Sequence, residues 1–165
     1  MNVGRAAARS VKPLISGALA PSFALPDQAG HTIRAEQLLA QGPLVLAFVR
    51  GLWCEQSKLD LMALDKAAGL LRVTGAVIAA ILRYSAEDAV SSADILRVQF
   101  PVLNDKGGRV AEAFGLLSAH TNDSACTPAR FVIAPDGMII FGDAYPDYVH
   151  RPDPLELLPV IARFR

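Results

Sequence analysis

The stretch Phe48-Val49-Arg50-Gly51-Leu52-Trp53-Cys54-Glu55-Gln56-Ser57 decides how the rest of the chain is read. It follows a continuous apolar run, Pro43-Leu44-Val45-Leu46-Ala47-Phe48-Val49, which has the composition of a strand buried on both faces. From Trp53 to Leu71 there is no proline and a single glycine, and Leu61, Leu64, Ala68 and Leu71 recur at helical spacing, so one face packs on a sheet. Cys54 therefore stands where a buried strand gives way to a helix. A thiol there faces unpaired backbone N–H groups and the positive end of the helix dipole, which favours the thiolate that a nucleophile needs. Arg50 adds a nearby cation, and Glu55 opposes it unless it points outward. Position alone does not decide the matter, because a free cysteine is also a small hydrophobe suited to a core.

Outward from this junction, strand and helix signals alternate. Upstream, Phe23-Ala24-Leu25 and Thr32-Ile33-Arg34 flank the turn Asp27-Gln28-Ala29-Gly30 and predict a small hairpin, followed by a short helix over Glu36 to Gln41. Downstream, Val73 to Leu82 is a second buried strand. Ser85-Ala86-Glu87-Asp88 starts a helix, with Ser85 as N-cap and acids in the first turn, expected to run to about Gln99, before Pro101. Pro101-Val102-Leu103 is an edge piece, and Arg109 to Phe114 is a brief helix ended by Gly115. Arg130-Phe131-Val132-Ile133 and Met138-Ile139-Ile140-Phe141 then flank Pro135-Asp136-Gly137, where proline presets a bend and glycine accepts a left-handed conformation. Pro154 to Arg163 closes the chain as a helix with Pro159 as a defect. Strands that alternate with helices and finish in a hairpin predict an α/β fold with a mixed central sheet covered on both faces.

Composition narrows the function. The 165 residues carry 16 Lys+Arg and 16 Asp+Glu, so the net charge is zero and the cations run singly, which argues against nucleic acid and against a polybasic membrane anchor. With 52% hydrophobic and 19% charged residues the chain fills a globular core, and the length fits one domain. The apolar runs fall well short of the roughly 20 residues of a membrane helix. Two cysteines, Cys54 and Cys126, are too few for a disulfide framework, and His31, His120 and His150 are scattered without zinc-ligand spacing. Arg5, Arg9 and Lys12 precede Ala18-Leu19-Ala20, which mimics a cleavage site. The intervening segment is broken by Pro13 and Gly17 and too weakly apolar for an export signal, so residues 1–16 are expected to be a basic tail and residues 17–165 the domain. The expected compartment is cytoplasmic.

Four stretches in register resemble one family. Gly17-Ala18-Leu19-Ala20-Pro21-Ser22-Phe23-Ala24-Leu25-Pro26-Asp27, the Cys54 stretch, Phe100-Pro101-Val102-Leu103-Asn104-Asp105 with Val110-Ala111-Glu112-Ala113-Phe114-Gly115, and Thr127-Pro128-Ala129-Arg130-Phe131-Val132-Ile133-Ala134-Pro135-Asp136-Gly137 follow the order and spacing of the peroxiredoxin-like (AhpC/TSA, redoxin) branch of the thioredoxin-fold superfamily. The resemblance implies a thioredoxin-like fold with an N-terminal β-hairpin extension. It also implies that Cys54 is the nucleophile, that Arg130 or Arg50 holds the thiolate and polarises peroxide, and that Pro128, after Thr127, is a cis-proline packed against the Cys54 turn. Trp53 is expected to shield one side of the thiol. No metal, haem or flavin is implied. The implied partners are a peroxide or disulfide substrate and an external thiol reductant such as thioredoxin, glutaredoxin or glutathione, and the family's habit of dimerising suggests a homodimer.

Departures from the pattern matter as much. The family's proline seven residues before the cysteine and its threonine or serine three residues before are here Ala47 and Gly51, so the implied peroxide pocket is incomplete. A related branch has Trp-Cys-x-x-Cys, where this chain has Trp53-Cys54-Glu55-Gln56-Ser57. Ser57 either donates to a Cys54 thiolate or is a plain first-turn residue, and a local disulfide is excluded. Cys126, two residues before Pro128, is either a resolving cysteine or a small loop residue. Bridging would need about 4.4–6.8 Å between Cα atoms. His120, in a polar insert, reads as a surface residue. Three functions remain open: a thiol-dependent peroxidase reducing hydrogen peroxide or organic hydroperoxides, a monothiol disulfide oxidoreductase or isomerase, and an inactive thioredoxin-fold binding module.

Overall fold

The computed structural model describes residues 12–117, 126–146 and 150–164. Residues 1–11 and His120 lie outside them. Strands β1 (Ala24–Pro26) and β2 (Thr32–Arg34) form the expected antiparallel hairpin, and α1 (Ala35–Leu39) follows directly. The central strand β3 (Leu44–Phe48) is buried at every position and leads into α2 (Glu55–Val73). Next come β4 (Val77–Leu82), α3 (Ala86–Ser91), β5 (Val102–Asn104), α4 (Arg109–Ala113), β6 (Ala129–Ile133), β7 (Ile139–Ala144) and α5 (Leu158–Ala162).

The five-stranded sheet has the order β5-β4-β3-β6-β7, parallel across β5, β4 and β3 and antiparallel through β6 and β7. Its two faces carry separate cores. On one, Leu61, Leu64, Ala68 and Leu71 of α2 pack on Val45, Ala47 and Val49 with Ile161 of α5. Each buried leucine contributes about 2 kcal/mol by leaving water. On the other, Phe48, Phe114 and Phe131 form an aromatic cluster, with α1 and α4 as cover. Alternate residues of β3 serve opposite faces, as strand geometry requires. Gln28, at the hairpin tip, accepts from Val102 N at 2.9 Å and donates to Phe100 O at 3.2 Å, so the hairpin shields the exposed edge at β5.

Two helices differ from expectation. The helix from Ser85 stops at Ser91 and is followed by a separate 3-10 turn, Ile95–Arg97. The Ser85–Asp88 capping box starts it as predicted, but no α3 residue is buried, and Ser91 Oγ turns back to Glu87 O and Asp88 O, a competition that disfavours continued helix. The closing helix is likewise divided, a 3-10 turn over Pro154–Leu157 giving way to α5, with Pro159 in the first turn of α5 where its missing N–H is harmless. Contacts also reach ahead of residue 17. Leu14 N donates to Phe114 O at 3.0 Å, and at Gly115, with φ +77°, a Cβ would lie 1.9 Å from Lys12 O. Among the described residues no helix is long and apolar enough to cross a membrane.

Candidate active site

The turn between β3 and α2 is fixed by the first turn of the helix itself. Ser57 is fully buried, and its Oγ accepts from Arg50 N at 3.0 Å and from Gly51 N at 3.4 Å. Cys54 N donates to Gly51 O at 3.3 Å, and Lys58 N makes the first helical bond, to Cys54 O, at 3.1 Å. Cys54 is thereby the N-cap of α2, with extended backbone (φ −96°, ψ 119°). Its side chain is 5% exposed, and the thiol donates to Gln56 Oε1 at 3.6 Å rather than accepting from the first-turn amides. Ser57 therefore shapes the site through the loop backbone, and neither of its side-chain bonds is to Cys54.

Trp53 lies at the surface. It is 59% exposed, and its ring lies over Gly51, where a Cβ would come 2.5 Å from Nε1. The departure at Gly51 has a steric reason: a threonine there would displace the indole. Ala47, the other departure, lies in the middle of β3 opposite Arg130 on β6 and Ala80 on β4.

That register aims Arg130 toward the α2 side of the sheet, the side that holds Cys54. The guanidinium is 1% exposed, with Nη2 on Asp60 Oδ1 and Nη1 on Pro152 O, each at 2.5 Å, and the Tyr145 ring centroid is 5.8 Å away. Its described polar partners do not include Cys54. Arg50 donates through Nη2 to Pro146 O at 2.8 Å.

Pro128 is a correction. No cis peptide bond occurs among the described residues, so Pro128 is trans. It lies just ahead of β6, where a missing N–H is tolerated, and its carbonyl accepts from Tyr145 N at 2.7 Å as an extension of the ladder. Thr127 is anchored through its N–H to Leu116 O at 2.8 Å. Cys126 does not face Cys54. It packs in the α4-side core, while Cys54 packs in the α2-side core, and both thiols are free. Its Sγ donates to Val49 O at 3.1 Å, and burial, reinforced by the Asp105 carboxylate, pushes its pKa up to about 12. A buried, protonated thiol across the sheet is poorly suited to resolve a partner at Cys54.

Two site neighbours escaped the sequence reading. Asp60 occupies the buried stripe of α2 with Ser57, Leu64, Ala67 and Leu71, and a charge on such a stripe demands a partner, a signal that was present in the helical spacing. Arg151 Nη1 donates to Gln56 O at 2.6 Å, two residues past Cys54, and nothing local marks it.

Comparison with known proteins supplies the family. The AhpC/TSA family model matches residues 16–141, more than half of the chain. The chain belongs to the AhpC/TSA family. A search of curated proteins found no significant match. Among solved structures, this AhpC/TSA chain is similar to peroxidoxin BcpB from Mycobacterium tuberculosis, with 22% identity and TM-score 0.77 over 92% of this chain and 99% of that one. It is similar to the reduced 2-Cys peroxiredoxin of Plasmodium vivax, with 16% identity and TM-score 0.75 over 90% and 81%. It also resembles a putative thiol:disulfide interchange protein DsbE from Chlorobium tepidum, with 20% identity and TM-score 0.68 over 90% and 95%. At these identities the likeness establishes the thioredoxin-like peroxiredoxin fold.

Proposed function

We propose that this protein is a thiol-dependent peroxidase in which Cys54 is the single reacting cysteine. The observation that carries the reading is the seat of Cys54 as N-cap of the 19-residue helix α2, directly after the central strand of an AhpC/TSA domain. The Cys54 thiolate attacks one oxygen of a peroxide. The O–O bond breaks, water or an alcohol leaves with the proton, and the sulfur becomes a sulfenic acid. With Ser57 in place of a second cysteine and Cys126 in the opposite core, reduction falls to an external thiol. Arg50, on the turn that carries Cys54, is the cation near the thiol in sequence, whereas the Arg130 charge is met by Asp60.

The exposed Trp53, next to Cys54 in the chain, favours a second reading, a monothiol disulfide oxidoreductase, because an exposed aromatic side chain suits a docking peptide or thiol better than a small peroxide. One experiment separates the two. Reduced wild-type, Cys54→Ser and Cys126→Ser proteins are exposed to equimolar hydrogen peroxide with a sulfenic-acid trap, and intact mass is followed. Fast trapping that requires Cys54 and persists in Cys126→Ser is the expected result. Slow oxidation with ready glutathione adducts would support the oxidoreductase, and reactivity no greater than that of an ordinary thiol would leave only a binding module.

A further inference from the structure

Helix α2 carries a second stripe, on the side away from the sheet. Glu55, Leu59, Met62, Lys66, Gly69 and Val73 follow one another at alternating steps of four and three residues, and every one is exposed. Leu59, Met62 and Val73, with Leu70 beside them, are between 42% and 74% exposed, although the outer face of a surface helix is ordinarily polar. A mean step of about 3.5 residues is the spacing at which one helix lies along another. The flanks of the stripe are engaged within the chain. On one side Asp65 accepts from Gln99 N at 2.8 Å and Arg72 donates to Gln99 Oε1 at 3.2 Å, and on the other Gln56 O accepts from Arg151 at 2.6 Å. The row between them faces outward.

Gly69 sharpens the reading. Glycine inside a helix is less favourable than alanine, and a Cβ added at Gly69 would meet nothing within 4 Å, so no contact among the described residues calls for its small size. A close neighbour from outside the chain would.

The charges select that neighbour and its direction. When two copies of α2 run antiparallel with Leu59 of each against Met62 of the other, Glu55 of each comes against Lys66 of the other, and two opposite-charge pairs form about a two-fold axis. Glu55 also meets Lys58 of its own helix at 3.3 Å, but its side chain stays 77% exposed and open to a second cation. Sliding the copies by one heptad sets Glu55 against Val73 and Lys66 against Met62, which strips both charges of water without a counter-charge. A parallel pairing in register sets lysine against lysine and glutamate against glutamate. The favoured arrangement also brings Trp53, exposed just ahead of α2, level with Ala68 and Gly69 of the other copy, where the missing Cβ leaves room for an indole.

We propose that the outer face of α2 is a homodimer interface, on which a second copy of this chain packs antiparallel through Glu55, Leu59, Met62 and Lys66 and lays its Trp53 over Gly69. The interface requires no reaction at Cys54 and stands apart from the peroxidase reading.

Trp53 is the single tryptophan, so its emission reports the contact directly. Sedimentation velocity and tryptophan emission are recorded together on the reduced full chain from low to high micromolar concentration. A monomer–dimer equilibrium is expected, with emission moving to shorter wavelength as the dimer forms and association weakened by salt. Leu59→Arg and Met62→Arg, both at exposed positions, should remain monomeric. Glu55→Lys and Lys66→Glu should each weaken association about tenfold, and Glu55→Lys/Lys66→Glu should recover it, because the exchange restores both ion pairs. The charge variants decide the matter even where an arginine disturbs α2. A chain that stays monomeric throughout, a dimer that tolerates Met62→Arg, or a dimer that leaves Trp53 emission unchanged overturns the interface. A double exchange that associates no better than the single variants overturns the antiparallel register.

Discussion

Cys126 holds its proton far above the ordinary range because the α4-side core surrounds it and the Asp105 carboxylate lies near, and its Sγ donates to Val49 O. The native state keeps this proton up to about pH 12, whereas an unfolded cysteine loses it near 9.0. Above pH 9 the folded chain therefore binds more protons than the unfolded one, and stability falls as pH rises through that window. The contribution is complete below pH 9. Tyr145, raised to about 12 chiefly by burial, acts in the same sense from about pH 10. Urea midpoints measured from pH 7 to 10 should accordingly stay level on this account up to pH 9 and then decline. Cys126→Ala should be less stable at pH 7 but decline less steeply between 9 and 10. Parallel declines in the two proteins would show that Cys126 is not the group responsible.

The turn that presents Cys54 is an element-scale construction, in which a helix holds the loop that precedes it. Ser57 Oγ accepts from Arg50 N and Gly51 N across one turn of α2, and Gly51 is buried, so Ser57→Ala leaves the Gly51 amide without its acceptor. The expected loss is about 1–3 kcal/mol in chemical denaturation, accompanied by faster amide exchange at Arg50 and Gly51 than in the body of α2. Unchanged exchange at these two amides would remove Ser57 from this role. Strand β3 and helix α2 were legible because the apolar run is too short for a buried helix and the 3.6-residue spacing from Leu61 to Leu71 marks one helical face. Helix α3 was not, since an exposed serine-rich segment has no buried face to register its length. Gly51 and Trp53 show the same limit inside the site. The glycine was visible as a departure, but the indole lying on it is a tertiary contact that spacing does not encode.

Across the whole molecule, the buried Arg130–Asp60 pair fastens three separate regions, because β6 supplies the arginine, α2 the acid and residue 152 the carbonyl. The side of the sheet that Arg130 faces follows from its register opposite Ala47, which the sequence left open. Its partners were not legible there either, since Asp60 and Pro152 lie 70 and 22 residues away in sequence. Removing one member of such a pair leaves the other buried without its counter-charge, a loss of about 3–5 kcal/mol, whereas an uncharged pair of similar volume recovers much of it. Arg130→Met should therefore unfold at markedly lower denaturant, and Asp60→Leu/Arg130→Met should be more stable than Arg130→Met alone, by a double-mutant cycle read from urea midpoints. Strict additivity would mean that the two charges do not act as a pair. The cycle also bears on the site, because the double variant removes both charges of the pair from the Cys54 side of the sheet while recovering much of the stability. If the Arg130–Asp60 pair acts on Cys54, the trapping rate with peroxide should change in the folded double variant, and an unchanged rate would confine the pair to holding the fold.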